Sequence, residues 1–343
     1  MALDLQIQGL AKLGEFIQNY LDRGETLSSE QTALEEVLST TTAENSWFTK
    51  ESLTQSLSQW ASELNEPVIK KWLSSYKTAS KPSRVGLILA GNIPLVGFHD
   101  VICVVLSGHL PLIKLSSKDK RLIPFLLTKW NEFSEGNIHY ELTEKLENFD
   151  AIIATGSNNT ARYLEYYFKD HPSIIRKNRT SLAVLSENES DEDLKALGKD
   201  IFSYFGLGCR NVTYLLLPEG FKLERIFENL LPYSEIINHN GYANNYDYNK
   251  AIYLLNQDLF WDNNFVMLRE SDELFGPLSV LHFSYYKTME EAQSFLEKHK
   301  EETQCVVSNL EQIKDRIQPG EAQNPALSEY ADHVDTMAFL EGL

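Results

Sequence analysis

Residues Arg84–Leu115 read RVGLILAGNIPLVGFHDVICVVLSGHLPLIKL, and this stretch decides the fold class. It is the most apolar part of the chain, yet Asn92, Pro94, His99, Asp100 and His109 interrupt it, a pattern that a lipid-spanning helix tolerates poorly. The run divides into an apolar segment over Val85–Leu89, a second over Gly97–Ser107 of helical length, and a third over Leu110–Leu115. The spacing predicts strand, helix, strand, all buried. A helical pattern over Leu122–Phe133 follows, so the alternation predicts βαβ units and a parallel sheet.

Working outward, Ala151–Ala154 is a further strand that ends at Thr155, Gly156 and Ser157, with Thr160, Tyr163, Leu164 and Tyr167 carrying the next helix. Ser181–Leu185 predicts a strand. Ser190 then opens a helix through a capping box with Asp193, and that helix should stop at Gly206. Gly206, Leu207, Gly208 and Cys209 form a glycine-permitted turn before a strand over Val212–Leu217, which Pro218 closes. The stretch Asn238–Asn249 reads as an irregular loop, and strands follow over Phe265–Leu268 and Leu278–Phe283. Towards the N-terminus, Leu5, Leu10, Leu13, Phe16, Ile17, Tyr20 and Leu21 recur at helical spacing, as do Trp47, Leu53, Leu57 and Trp60. The polar run 24–45 reads as solvated turns and helix faces, and no internal repeat is evident.

The 343 residues are enough for two lobes, and 43% hydrophobic with 23% charged residues is the composition of a folded chain. A formal charge of −18, from 49 acidic and 31 basic side chains, argues against nucleic acid or an anionic membrane as partner. It does not argue against a nucleotide, because helix N-termini and a few cations set the potential inside a cleft. Cys103, Cys209 and Cys305 are odd in number and widely spaced, which suggests neither a disulfide framework nor a zinc site. None of the eight histidines shows a metal-ligand spacing. The first ten residues lack the basic and apolar regions of a signal peptide, so a reducing, cytoplasmic setting is expected.

Four separated segments carry chemistry when taken in order. They are Ala90-Gly91-Asn92-Ile93-Pro94 at a strand-to-helix junction, Lys114 at the end of the next strand, Thr155-Gly156-Ser157 at another junction, and Glu273-Leu274-Phe275-Gly276-Pro277 after Cys209. In this order the set resembles the aldehyde dehydrogenase superfamily. The short chain, the Ala-Gly-Asn-Ile-Pro wording and the Phe-Gly-Leu-Gly-Cys-Arg-Asn wording are similar to the fatty-acyl-CoA reductases associated with bacterial luminescence. The resemblance covers roughly Gly86 to Val280 and does not extend into the N-terminal helices.

The resemblance implies an α/β fold in which a Rossmann-type dinucleotide-binding domain, about residues 1–200 with 315–343, receives a catalytic α/β domain over about 201–314. It implies that Cys209 is a covalent nucleophile, and that Asn92, with the Cys209 backbone N–H, stabilises the oxyanion. Lys114 would reach the adenosine ribose, Gly156 and Ser157 the pyrophosphate, Glu273 the nicotinamide ribose, and Phe275 the nicotinamide. Arg210 is a candidate to keep the thiolate charged.

Where NAD-selective relatives carry an acidic residue, this chain has Ser117, with Ser116 beside it. The expected cofactor is therefore NADPH, with NADH possible. The expected reaction is reduction of an acyl-CoA or other acyl thioester to an aldehyde. Oxidative relatives hold a water-activating Glu just before the strand at Ser181. Here the matching residues, Ser173–Thr180, contain no carboxylate, unless Glu187 folds in to replace it. Two alternatives stay open at this stage: an NAD-dependent aldehyde dehydrogenase that forms acids, and a non-catalytic acyl-binding subunit. Assembly as a homodimer follows only by analogy.

Overall fold

The computed structural model describes residues 2–24 and 26–343. Met1, where the signal-peptide reading began, and Glu25, inside the polar run 24–45, lie outside the described residues. The chain forms two compact units, residues 1–177 with 326–343 and residues 178–325.

The first unit begins with four helices, α1 (Ala2–Leu21), α2 (Ser29–Glu44), α3 (Lys50–Glu63) and α4 (Glu66–Leu73). Each start after α1 is written in the sequence: a Ser28/Gln31 capping box opens α2, Thr49 caps α3, and Asn65 followed by a proline opens α4. The apolar stripe of α1 is buried, with Leu10, Leu13 and Ile17 fully so, and it packs against α3 and the later helix Leu122–Phe133.

Then come β1 (Arg84–Ile88), α5 (Phe98–Leu106), β2 (Leu110–Lys114), α6 (Leu122–Phe133), β3 (Glu141–Leu142), β4 (Ala151–Thr155), α7 (Asn158–Tyr167) and β5 (Ser173–Arg176). These strands make one parallel sheet in the order β3-β2-β1-β4-β5. The central strand β1 buries Val85 and Leu87 completely, and α5 covers it with an unbroken buried run from Val101 to Leu106. Truncating Leu87 to alanine here costs about 2–5 kcal/mol, as for any fully buried aliphatic side chain.

The second unit holds β6 (Thr180–Val184), α8 (Asp191–Phe202), β7 (Val212–Pro218), α9 (Leu223–Leu230), α10 (Asn240–Asn256), β8 (Trp261–Asp262), β9 (Met267–Glu270), β10 (Val280–Tyr286), α11 (Met289–Lys298) and β11 (Thr303–Val307). Its sheet runs β11-β6-β7-β10-β9-β8, parallel except for the β8–β9 pair. The last helix, α12 (Thr336–Glu341), returns to the first unit. There Met337 and Leu340 join the core, Trp72 donates to the Tyr330 hydroxyl at 2.7 Å, and a His109 ring nitrogen meets the Leu340 carbonyl at 2.9 Å.

Three expectations need correction. The unit boundary falls at 177/178 and 325/326, not at 200/201 and 314/315. The reason is strand pairing: β6 lies between β7 and β11, so the segment from Thr180 onward belongs to the second sheet. The stretch Asn238–Asn249 is not an irregular loop but mostly helix α10, capped by the His239 ring and burying Tyr242, Tyr246, Asn249 and Tyr253 at helical intervals. Helix α8 ends at Phe202 rather than at Gly206, and a tight turn with left-handed Tyr204 and Phe205 occupies the difference. The Ser190/Asp193 capping box forms as expected.

Candidate active site

Within the first unit, three of the four motif segments fall on neighbouring loops. Lys114 is level with Ile88 across the β1–β2 pair, and Ala154 is level with Ile88 across the β1–β4 pair. The loops after β1, β2 and β4 therefore leave the same carboxyl edge of three adjacent parallel strands. They carry Asn92, then Lys114 to Ser117, then Gly156 and Ser157. The chain crosses from one side of β1 to the other between β2 and β4, which makes this edge the topological switch point where open α/β sheets bind ligands.

The loop after β1 is tightly packed. A Cβ on Gly91 would lie 2.4 Å from Ser116 Oγ and 2.6 Å from its Cβ, so only glycine allows the two loops to touch. Asn92 is exposed, whereas Pro94 and Leu95 are buried. Ser56 donates to the Pro94 carbonyl at 3.1 Å, and Leu95 sits at φ 59°. Lys114, Ser117 and Ser157 are exposed, or nearly so, on their loops, with side chains available to a ligand. Ser157 caps α7, its Oγ accepting from the Thr160 N–H at 3.3 Å. A hydroxyl-capped helix start, an exposed ammonium and serine hydroxyls are donor chemistry suited to a dinucleotide's phosphates and ribose.

The second unit holds the other motif residues. Cys209 is half-buried, whereas Cys103 and Cys305 are buried. Burial pushes the Cys103 thiol well up, with neighbouring Asp100 adding to the effect, so Cys103 is unfit as a nucleophile.

The turn before Cys209 runs through three successive positive-φ residues, Tyr204, Phe205 and Gly206. Two non-glycine residues in that region cost roughly 1–3 kcal/mol each, so something must hold them. Asn211 does so. It is fully buried; its Oδ1 accepts from the Gly208 N–H at 2.8 Å, and its Nδ2 donates to the carbonyls of Asp200, Ile201 and Ser203 at 3.0, 3.3 and 2.8 Å. One carboxamide thus closes the end of α8 and fixes the residue before Cys209. Ser181 adds a bond to the Cys209 carbonyl at 3.0 Å.

Arg210 does not have its Nε free for the thiolate, because that atom donates to the Ala322 carbonyl. Asp200, also fully buried, accepts from the N–H groups of Gly320 and Ala322, the latter at 2.9 Å, and burial pushes its carboxyl up to about 6. Glu187 lies beyond the carboxyl end of β6, whereas Ser181, which touches Cys209, is at the amino end. The strand runs from Thr180 to Val184 and Glu187 stands in the turn after it, so Glu187 and Ser181 lie at opposite ends of β6.

The Glu273–Pro277 turn links β9 to β10 and lies over the same amino edge as Cys209. Thr213, at the start of β7, donates to the Leu274 carbonyl at 3.3 Å and shares a 2.6 Å hydroxyl contact with Thr180. Glu273 and Phe275 are exposed while Leu274 is buried, so the turn is anchored by the leucine and presents its neighbours outward. A Cβ on Gly276 would come within 2.6 Å of the Val280 carbonyl, which explains the glycine.

His282 was not singled out from the sequence, yet its Nδ1–H donates to the Glu273 carbonyl at 2.8 Å. Its Nε2 is buried with no hydrogen-bond partner among the described residues, and burial lowers the ring's pKa, so the neutral Nδ1–H tautomer fits. Asn211 and His282 escape sequence reasoning because their partners are backbone groups, which no spacing rule reveals. Among the described residues no cluster of His, Cys, Asp or Glu can hold a metal, and no helix is long and apolar enough to cross a membrane.

The acyl-CoA reductase (LuxC) family matches residues 12–224, more than half of the chain, so the likeness does run through the N-terminal helices, contrary to the expectation that it begins near Gly86. No curated protein sequence matches it. Among solved structures, indole-3-acetaldehyde dehydrogenase of P. syringae, a mutant in complex with NAD+ and IAA, is 13% identical; the match covers 91% of this chain and 73% of that one, with a TM-score of 0.64. An NAD-dependent aldehyde dehydrogenase from Sinorhizobium meliloti gives 13%, 91%, 72% and 0.63. The NAD+ complex of an aldehyde dehydrogenase from Bacillus cereus gives 11%, 92%, 73% and 0.61. At such identities the likeness speaks for the fold, and the family match speaks for the kind of enzyme. The chain belongs to the acyl-CoA reductase (LuxC) family, an oxidoreductase built on the aldehyde dehydrogenase fold.

Proposed function

We propose that this enzyme reduces an acyl-CoA, or a related acyl thioester, to the aldehyde through a covalent thioester on Cys209. One observation carries the choice of reduction over acid formation. The segment that would have to supply a water-activating carboxylate is strand β5 and the residues after it, where Arg176 is locked in an ion pair with Asp100 and no carboxylate occurs. A general base is typically worth 10²- to 10⁴-fold, so without one water competes poorly for the acyl group.

In this reading the Cys209 thiolate attacks the thioester carbonyl, and the Asn92 carboxamide with the Cys209 N–H donates to the oxyanion. Losing one such donor typically costs about 3 kcal/mol of barrier. The thiol of the substrate leaves, and Cys209 holds the acyl group. Lys114, Ser116, Ser117, Gly156 and Ser157 hold the adenosine and pyrophosphate parts of the cofactor, and Glu273 and Phe275 its nicotinamide end. Bound NADPH supplies the hydride that the reduction needs. Collapse of the resulting thiohemiacetal returns the Cys209 thiolate and releases the aldehyde.

On this assignment the first unit is the dinucleotide-binding domain and the second the catalytic domain. Serine at 117 leaves room for a 2′-phosphate that a carboxylate would repel, which favours NADPH with NADH as a weaker substitute. The test follows NADPH and NADH oxidation spectrophotometrically with acyl-CoA substrates of several chain lengths. Aldehyde formation with consumption of reduced cofactor is expected. Acid formation from aldehyde with no acyl-CoA turnover would overturn the reading.

A further inference from the structure

Asp119 is a buried carboxylate that the mechanism above does not use. It stands in the turn after β2, only 2% exposed, and its Oδ2 accepts the Leu95 N–H at 3.0 Å. Its Oδ1 is also buried and meets no donor in good geometry among the described residues. Leu95 is one of the left-handed residues, 1% exposed, and its backbone conformation holds only because the surroundings enforce it.

The same turn grips the Asn92 loop a second time. Asp119 N–H donates to the Ser116 carbonyl at 3.3 Å, Lys118 N–H to Ser116 Oγ at 3.2 Å, and Ser116 packs directly against Gly91. Asn92 is therefore bracketed, with Gly91 before it resting on Ser116 and Leu95 after it tied to Asp119.

Burying a carboxylate for one well-formed bond costs stability rather than adding to it. Desolvation pushes Asp119 up to about 6, and the N–H groups of Leu95 and Leu122 pull it down only in part. Lys118, Lys120 and Arg121 flank it in sequence, and Arg121 is paired with Glu44 of α2.

We infer that Asp119 is a positioning residue that ties the Asn92 loop to the Ser116–Ser117 turn, so that a nucleotide phosphate ordering the turn also fixes Asn92. The inference rests on the proposed roles of Asn92 and Ser117. It makes the two loops one mechanical element. Loss of the carboxylate should then weaken two functions at once, acylation of Cys209 and capture of the adenosine end.

The test uses the full chain. Acylation is read as CoA release from acyl-CoA without cofactor, and nucleotide affinity by titration with adenosine 2′,5′-bisphosphate, which has no nicotinamide end. Asp119→Ala is expected to slow acylation at least tenfold and to weaken the bisphosphate at least threefold. Asp119→Asn, which keeps an acceptor for Leu95, should stay within threefold of wild type in both. Asn92→Ala should slow acylation but leave bisphosphate affinity within twofold.

Normal acylation by Asn92→Ala would overturn the reading of Asn92 itself. Slow acylation by Asn92→Ala, with Asp119→Ala normal in either readout, would overturn the inference alone. A measurement on the unaltered protein does not depend on any variant folding: the bisphosphate should slow amide hydrogen exchange over residues 92–97 as well as 114–120. Slowing confined to 114–120 would overturn the coupling.

Discussion

Replacing Arg176 by methionine tests how the first unit is held together. Arg176 and Asp100 are 5% and 6% exposed; Nη2 donates to Asp100 Oδ1 at 2.8 Å and to Thr336 Oγ1 at 3.0 Å, and Nη1 donates to Asp100 Oδ2. Strand β5, helix α5 and helix α12 meet at this one guanidinium. Methionine matches the volume of its stem but leaves Asp100 buried without its cation, which typically costs 3–5 kcal/mol. Asp100 lies in the first turn of α5, where the helix dipole offsets about 0.3–1 kcal/mol. The expected loss is therefore about 3 kcal/mol. With a urea m-value of about 2–3 kcal/mol/M the midpoint falls by roughly 1–1.5 M.

Tryptophan fluorescence suits the measurement, because Trp47, Trp60, Trp72 and Trp130 all lie in the first unit and only Trp261 in the second. The double variant Asp100→Leu with Arg176→Met removes the stranded charge and should recover most of the loss. A single variant within about 1 kcal/mol of wild type, or a double variant no more stable than the single, would refute the reasoning.

The other predictions concern the proposed chemistry and one buried acid. Cys209→Ala should abolish acyl-enzyme formation while Cys103→Ala and Cys305→Ala keep turnover, as mass spectrometry of the acylated protein and an aldehyde assay would show. Ser117→Glu should shift preference from NADPH towards NADH by at least tenfold in kcat/KM; an unchanged ratio counts against the placing of the 2′-phosphate. Acyl-Cys209 formed without cofactor should release free fatty acid at least 100-fold more slowly than reduction proceeds, and release at the reductive rate would restore acid formation as the leading activity.

Asp119 is pushed up to about 6 in the native chain against about 3.9 unfolded, so the native state binds the extra proton between these values. Its contribution to stability is fully present below pH 3.9 and is lost as pH rises through 6. Relative to Asp119→Asn, wild type should lose about 1.4 kcal/mol between pH 5 and pH 7.5, and a pH-independent difference in unfolding free energy would contradict this.

The core of the first sheet was legible because β1, α5 and β2 are buried on every side and so are apolar at nearly every position. Helix α10 was not. Its sequence holds five asparagines and a glycine, which disfavour a helix, and tertiary burial overrides that preference. The Tyr242 hydroxyl donates to the Phe265 carbonyl at 3.1 Å, and Tyr246 to Asp262 at 2.7 Å, so the aromatic positions that mark the helix are satisfied by distant partners.

Strands β5 and β11 also escaped notice, since four or five residues flanked by charged turns carry too little periodicity. At the candidate site, Asn92, Lys114, Ser157 and Cys209 stand in short motifs with local meaning. Asn211 has meaning only once Tyr204 to Gly206 turn left-handed and bring the end of α8 back to it, a geometry that no residue count contains.

The split course of the first unit bears on how the protein is made. Residues up to 177 leave the ribosome before residues 178–325, but their core is completed by Leu327, Tyr330, Met337 and Leu340, which follow that segment. At translation rates of about 5–20 residues per second, the early segment waits roughly 8–30 s for that closing strip. Residues 178–325, in contrast, are contiguous and can close their sheet as soon as they emerge. Synthesis order and completion order are thus reversed, and the nascent chain keeps the berth for α12 uncovered during the interval in which chaperones have access to it.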